Sequence, residues 1–315
     1  MSIVTDAIAR ILNKGTCPAL SEVALGDMLQ DMDQTRNPSG AQDYYVDLNI
    51  SSPGDGFTLA TAFSTIAAAI TASNTSIGLT ANRWWARRNR IFVCGDGITE
   101  SLTVLPEKCD IIGVGTDLYD HPRVTGMHAI AVAKVGCRFI NIGFTASGAG
   151  DVFDIVAGCY GMSFINCDFT PAITGSTKAI EIDDAAGIRI IGCNFQIGSG
   201  GPSYFATAID IEGTIHHDCV IANNVIIGTA GIAVSDAAAN CFGSIIKDNV
   251  IRSTSGLPIN EDSDDWMVVN NRMMTTINIG TTTAGYDFNL ALASGNILTG
   301  LSGVAATVPF AVIAE

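Results

Sequence analysis

The chain has 315 residues, 48% of them hydrophobic, with a mean hydropathy of +0.35, enough for a core in one elongated unit or two compact ones. Its 16 Lys and Arg stand against 31 Asp and Glu, a formal charge of -15, which argues against a nucleic-acid surface because a phosphate footprint needs clustered cations. A divalent cation or a basic partner surface suits that balance better, and no apolar run of about 18 residues exists to cross a bilayer.

Residues 1–37 differ in kind from the rest of the chain. Ile3, Ala7, Ile8, Ile11 and Leu12 fall at helical spacing, and after Gly15 and Pro18 so do Leu20, Val23, Ala24, Met28 and Leu29. Two short amphipathic helices without a domain of their own must bury their apolar faces elsewhere, either over an open end of the fold or against another protein as a docking or oligomerisation segment. Met1 to Leu12 lacks a basic stretch followed by an apolar core, so it reads as no signal peptide. The nine cysteines are an odd number without a Cys-x-x-Cys pair, and Cys137, Cys167, Cys193 and Cys219 read as small buried apolar side chains with reduced thiols. Both features predict assembly in a cytoplasm.

Region 38–115 opens on the linker Asn37-Pro-Ser-Gly40. It continues through Tyr45-Val46-Asp47, Gly54-Asp55-Gly56, Phe63-Ser-Thr65-Ile66 with small residues to Ile70, a strand from Arg90 to Gly97 with Glu100 after it, and Ile111-Ile112-Gly113-Val-Gly115. This order resembles the N-terminal start of the pectate-lyase-like β-helix superfamily, found in pectin esterases and many bacteriophage tail spikes. The resemblance covers about residues 43 to 275. It implies a helix, here Thr65 to Thr71, that caps the first coil and blocks its strand edge from pairing. Between that helix and the first long strand, Arg83, Trp84, Trp85, Arg87 and Arg88 form a basic, doubly aromatic patch, read as a glycan contact or a contact with an acidic flank of a neighbouring subunit.

Region 116–275 repeats. Phe139-Ile-Asn-Ile-Gly-Phe144, Phe164-Ile-Asn-Cys-Asp-Phe169, Ile190-Ile-Gly-Cys-Asn-Phe195, Val220-Ile-Ala-Asn-Asn-Val225, Ile245-Ile-Lys-Asp-Asn-Val250 and Val268-Val-Asn-Asn-Arg-Met273 align on Gly143, Asp168, Asn194, Asn224, Asn249 and Arg272, at intervals of 25, 26, 30, 25 and 23 residues. A second strand keeps step with them, as in Val152-Phe-Asp-Ile155, Ala179-Ile-Glu-Ile182 and Ala208-Ile-Asp-Ile211. Period-2 alternation makes both segments strands, and no stretch between them carries a helical pattern. The expected fold is therefore all-β: a right-handed parallel β-helix of about seven coils, with an N-terminal α-helical segment and helix cap. Region 276–315, rich in Thr, Gly and Ala, breaks the repeat and reads as a short β-rich segment whose apolar surface would be covered in a trimer.

The repeat yields three candidate features. In the second strand the outward residues run Ala131, Asp154, Glu181, Asp210 and Ala233, so three carboxylates should share one column about 5 Å apart per rung, in the range used for glycoside hydrolysis. The same column would equally serve to hold a cation or to meet arginines of a neighbour. Asn194, Asn224 and Asn249 read as a structural amide ladder. His216-His217-Asp218 reads as a surface turn, since adjacent side chains on an extended segment point apart, so no metal site and no cofactor are expected.

The enzyme signatures of the β-helix superfamily (Gly-His-Gly, Asn-Thr-Asp, Arg-Ile-Lys, the proton-abstracting arginine) are absent from this sequence. The expectation is a bacteriophage virion protein: a homotrimer displayed on the particle as head decoration or tail spike, attached to other virion proteins through residues 1–37, with host-surface polysaccharide as a further ligand and neither nucleic acid nor membrane as partner. The alternative is a tail-spike glycoside hydrolase or polysaccharide lyase working through Asp154, Glu181 and Asp210. A bacterial surface adhesin is a third reading, disfavoured by the lack of a signal peptide.

Overall fold

The computed structural model describes residues 41–78, 88–115, 121–131, 134–155, 159–172, 176–184, 186–196, 203–213, 216–234, 241–254, 259–261, 266–275, 293–294 and 297–299. The expected helices of residues 1–37 lie outside them. Among the described residues the chain winds as a parallel β-solenoid with three faces, and every strand pairing is parallel.

Face 1 is a 10-stranded sheet that starts at Asp43–Asp47, Asn89–Cys94 and Cys109–Gly113. It goes on through Arg138–Ile140, Ser163–Ile165, Arg189–Ile191, Val220–Ala222, Ser244–Lys247 and Trp266–Val269. Face 2 contains Arg123–Gly126, Gly143–Ala146, Asp168–Thr170 and Asn194–Phe195, and face 3 contains His128–Ile130, Phe153–Ile155, Ser176–Asp183 and Phe205–Glu212. The strand Val225–Val234 runs through both and joins faces 2 and 3 into one 14-stranded sheet. All three faces recur together for about five turns, not the expected seven. The coils at either end contribute face 1 and face 2 strands but no described face 3 strand.

The corners explain why the chain turns where it does. Between faces 1 and 2 six successive coils each have one residue in the left-handed region: Asn141, Asn166, Gly192, Asn223, Asp248 and Asn270, with φ between 51° and 66°. Asn, Asp and Gly are the residues that bear this conformation at least cost. Between faces 3 and 1 the same device recurs at Lys108, Gly136, Gly161, Gly187, Asp218 and Gly243.

These corners fix the register, and the register corrects the alignment that spacing alone suggests. Phe139, Phe164, Ile190, Ile221, Ile246 and Val268 stand one above another on face 1. Gly143, Asp168, Asn194, Val225, Val250 and Arg272 do so on face 2. In the coils of Val220 and Ile245 the true repeat thus starts one residue later than the spacing suggests. On face 2 Phe144, Phe169 and Phe195 stack with ring centroids 5.5 and 4.9 Å apart, inside a core of buried Phe, Ile, Val and Cys.

The cap helix spans Ile66–Gly78, longer than expected. Glu100 explains its start: its carboxylate oxygens accept hydrogen bonds from the amides of Ile66 (3.0 Å) and Ala67 (2.8 Å), negative charge at the positive end of the helix. Ile66, Ala69, Ile70 and Ile77 face the core. At the other end, Ala293–Ser294 pairs with Val268–Val269 and Ile297–Thr299 with Arg272–Met274, so these residues prolong the columns where the sequence suggests a break.

The cysteines behave as small apolar side chains. Cys109, Cys137, Cys159, Cys167, Cys193 and Cys219 are buried free thiols, and burial pushes the Cys109 pKa up to about 12.

Candidate functional site

Face 3 carries the acids. Glu181 lies opposite Asp154 on one side and Asp210 on the other, and the column continues to Ala233 and Asn260. At the other end Asp154 faces Ala129, where spacing suggests Ala131. One strand spacing, about 4.8 Å, separates successive members. Asp154 is exposed, Glu181 half-buried and Asp210 only 7% exposed.

A lysine organises this column. In Ser176–Asp183 the consecutive residues Ala179 and Ile180 are both buried, which breaks the alternation and lets Lys178 and Glu181 face the same way. The Lys178 ammonium sits 2.6 Å from Glu181 Oε1, 2.7 Å from Asp210 Oδ2 and 2.9 Å from Glu212 Oε1. Burial works against that charge, yet hydrogen bonds with Asp210, Glu181 and Glu212 outweigh it and raise the lysine pKa. Glu212 falls below its ordinary range because Lys178 binds it, whereas burial raises Asp210 even against the lysine.

Sequence reading missed Asp151. Burial, then a hydrogen bond with Glu181 and the charge of Glu181, push it up to about 6. Counting back three residues from each member of the acid column gives Asp151, Lys178 and Thr207, a second outward column that the sequence already contained. Asp183 is raised as well, first by burial and then by the charges of Glu181, Glu212, Asp154 and Asp184. The arrangement can hold and release a proton at Asp151, which lies beside Glu181 with Asp154 as an exposed acidic neighbour.

A group with a raised acid pKa favours folding at low pH: the stabilisation is full below the unfolded value of 3.8 and is lost as pH rises through about 6. Asp151→Asn should therefore flatten the fall in melting temperature between about pH 4 and about pH 6.5. An unchanged slope in thermal scans across that interval would count against a proton held at Asp151.

The other candidates divide. Of Arg83, Trp84, Trp85, Arg87 and Arg88 only Arg88 is described. Its Nε donates to Asp110 Oδ1 at 2.7 Å, and Arg138 Nε binds the same oxygen at 2.6 Å. Burial raises the Asp110 pKa, but the two guanidinium groups overcome it and hold the carboxyl below its usual range. His217 Nδ1 lies 3.0 Å from Asp218 Oδ2, in a strand with His216 that pairs with Cys241–Phe242. Among the described residues no group of His, Cys, Asp and Glu could hold a metal ion.

The amide ladder is shifted by one coil. Asn224, Asn249 and Asn271 form it, each at most 1% exposed. The Asn224 side-chain oxygen accepts from the Cys193 amide (2.8 Å), that of Asn249 from the Asn224 amide (3.0 Å), and that of Asn271 from the Asn249 amide (3.1 Å). Their Nδ2 atoms donate to the carbonyls of Ile190, Ile221 and Ile246. Asn194 is not a rung of this ladder; it stands on face 2 between Asp168 and Val225.

On face 2 a second feature escaped the sequence reading. His121 Nε2 lies 3.2 Å from Asp168 Oδ2, both side chains 1% exposed, beside Arg123, which donates to the hydroxyls of Thr145 (3.2 Å) and Thr170 (3.1 Å). Gly143 makes room for the imidazole, since a Cβ there would come within 2.9 Å of His121 Nε2. So enclosed a pair is packing, out of reach of a polymer.

No protein-family model, curated protein or solved structure matches the chain.

Proposed function

We propose that the chain is a structural protein of a bacteriophage particle: a homotrimer of right-handed, pectate-lyase-like β-helices displayed as head decoration or tail spike, assembled in the host cytoplasm and attached through residues 1–37. Right-handed winding is the hand that parallel crossover connections adopt. The observation that carries this reading over an enzymatic one is Lys178, which engages Glu181 and Asp210 at 2.6 and 2.7 Å. Two of the three expected catalytic acids are thereby committed to an ion network, and Asp210 is closed to solvent as well. The polar outer face of the solenoid would serve for contact with host-surface polysaccharide.

Mass spectrometry and antibody labelling of virions purified from lysates of cells carrying the gene should find the chain in multiples of three on the particle surface. Particles that lack it would refute the reading.

The second reading is a tail-spike glycoside hydrolase or polysaccharide lyase, and Asp151 favours it. A carboxyl raised to about 6 beside Glu181, itself one rung from Asp154, has the form of a general acid paired with a second carboxylate. Incubation with host-surface polysaccharide is expected to give neither new reducing ends nor unsaturated sugars. Turnover that falls about 100-fold or more in Asp151→Asn and Glu181→Gln would put the enzyme in place of the structural protein.

A further inference from the structure

Face 1 turns an apolar stripe outward. Alternation along its strands sets Tyr45, Phe92, Ile112, Ile140, Ile165 and Ile191 on the outer side, each in register with the next, and all six are partly exposed. The rings of Tyr45 and Phe92 stack at 5.6 Å. Single exposed apolar residues are ordinary on a protein surface, but an unbroken row over six rungs marks a contact.

The column beside the stripe runs Asp43, Arg90, Asp110, Arg138. Its acids are paired within the chain: Arg90 pairs with Asp43 at 2.6 Å and Arg88 and Arg138 with Asp110, and the column goes on through Ser163 to Arg189. Face 3, by contrast, presents Asp154, Glu181, Asp183 and Glu212 around Lys178.

In a cyclic assembly of identical parallel chains, equivalent residues meet at one height on the axis. An apolar row tolerates such self-contact, and both acids of its border, Asp43 and Asp110, are neutralised by arginines of the same chain. A chain of charge -15 repels its own copies, and less along this face than along the acidic face 3. The stripe ends at Ala222, which is buried, and Lys247, the next residues in its column. Three lysines at one height would repel, so the contact stops there.

We propose that the stripe from Tyr45 to Ile191 is the surface on which three copies of this chain meet, with the acidic face 3 turned away from the axis. This rests on the homotrimer reading and names the face that makes the trimer.

Analytical ultracentrifugation of the full chain at about 10 μM should show a trimer, and Ile140→Glu with Ile165→Glu should weaken it about 100-fold or more, to monomers with an unchanged far-UV circular dichroism spectrum. Thr177→Glu with Ala206→Glu, exposed positions on face 3, should leave the trimer intact. Ile165→Cys, which keeps the fold, should give covalent dimers of the chain under mild oxidation. A trimer that survives Ile140→Glu with Ile165→Glu, or fails to cross-link through position 165, overturns the assignment of the face while the homotrimer stands. A full chain that sediments as a monomer overturns both.

Discussion

Replacing Asn249 by leucine is expected to lower the stability of the folded chain by about 4 kcal/mol and its melting temperature by roughly 10 °C. Asn249 is the middle rung of the amide ladder and is 1% exposed. Its oxygen accepts from the Asn224 amide and side chain, both at 3.0 Å, and its Nδ2 donates to the Ile221 carbonyl at 3.0 Å and to Asn271 Oδ1 at 2.9 Å. Leucine fills the volume but strands the Asn224 amide and the Ile221 carbonyl away from water, each at a cost of about 1–3 kcal/mol. Asn249→Asp separates this cause from packing. At neutral pH it would place an ionised carboxylate where the donor stood; at acid pH, protonated, it can again donate to Ile221. Its deficit should therefore shrink as pH falls, whereas that of Asn249→Leu should not. A loss under about 1 kcal/mol for both would mean that the ladder does not hold the coils.

The second large effect belongs to the aromatic core. Phe164 has ring centroids 5.4 Å from Phe139, 4.9 Å from Phe153 and 5.5 Å from Phe169, so it touches all three faces and ties its coil to the preceding one. Phe164→Ala should cost about 4 kcal/mol, and Phe164→Leu, which leaves far less empty volume, about 1.5 kcal/mol or less. In a solenoid each coil touches only its neighbours, so the damage should stay local. Hydrogen exchange should accelerate in Arg138–Ile140 and Arg189–Ile191 and remain nearly unchanged in Trp266–Val269. Uniform acceleration along the chain would show instead that the coils unfold as one unit.

The solenoid was legible in sequence because inward residues must stack: Phe144, Phe169 and Phe195 repeat at intervals that only a winding chain puts in line. Register was less legible, because asparagine holds two places. Asn141, Asn166, Asn223 and Asn270 turn the corner with positive φ, while Asn224, Asn249 and Asn271, one residue after such corners, point inward as the ladder. Residue type does not separate the two roles, so aligning on asparagine drew Asn194 into the ladder and left Asn271 out. Anchoring on the inward column of Phe139, Phe164, Ile190, Ile221 and Ile246 would have avoided the slip.

The carboxylate column was legible because Asp154, Glu181 and Asp210 each stand between two buried apolar residues of one strand. Lys178 and Asp151 were missed because the buried pairs Ala179–Ile180 and Val152–Phe153 bring residues three apart to the same side, which strict alternation forbids. His121 reaches Asp168 from outside the repeat, and no periodicity announces such a contact.

An experimental density map of the ladder tests the register most directly. The account predicts Asn224, Asn249 and Asn271 in one buried row, each side-chain oxygen about 3 Å from the main-chain amide of the preceding coil, with Asn194 outside it on face 2. A map with Asn194 in that row, or with these asparagines at unequal heights facing solvent, would contradict the winding that sets the acid face and the apolar stripe and on which the proposed trimer rests.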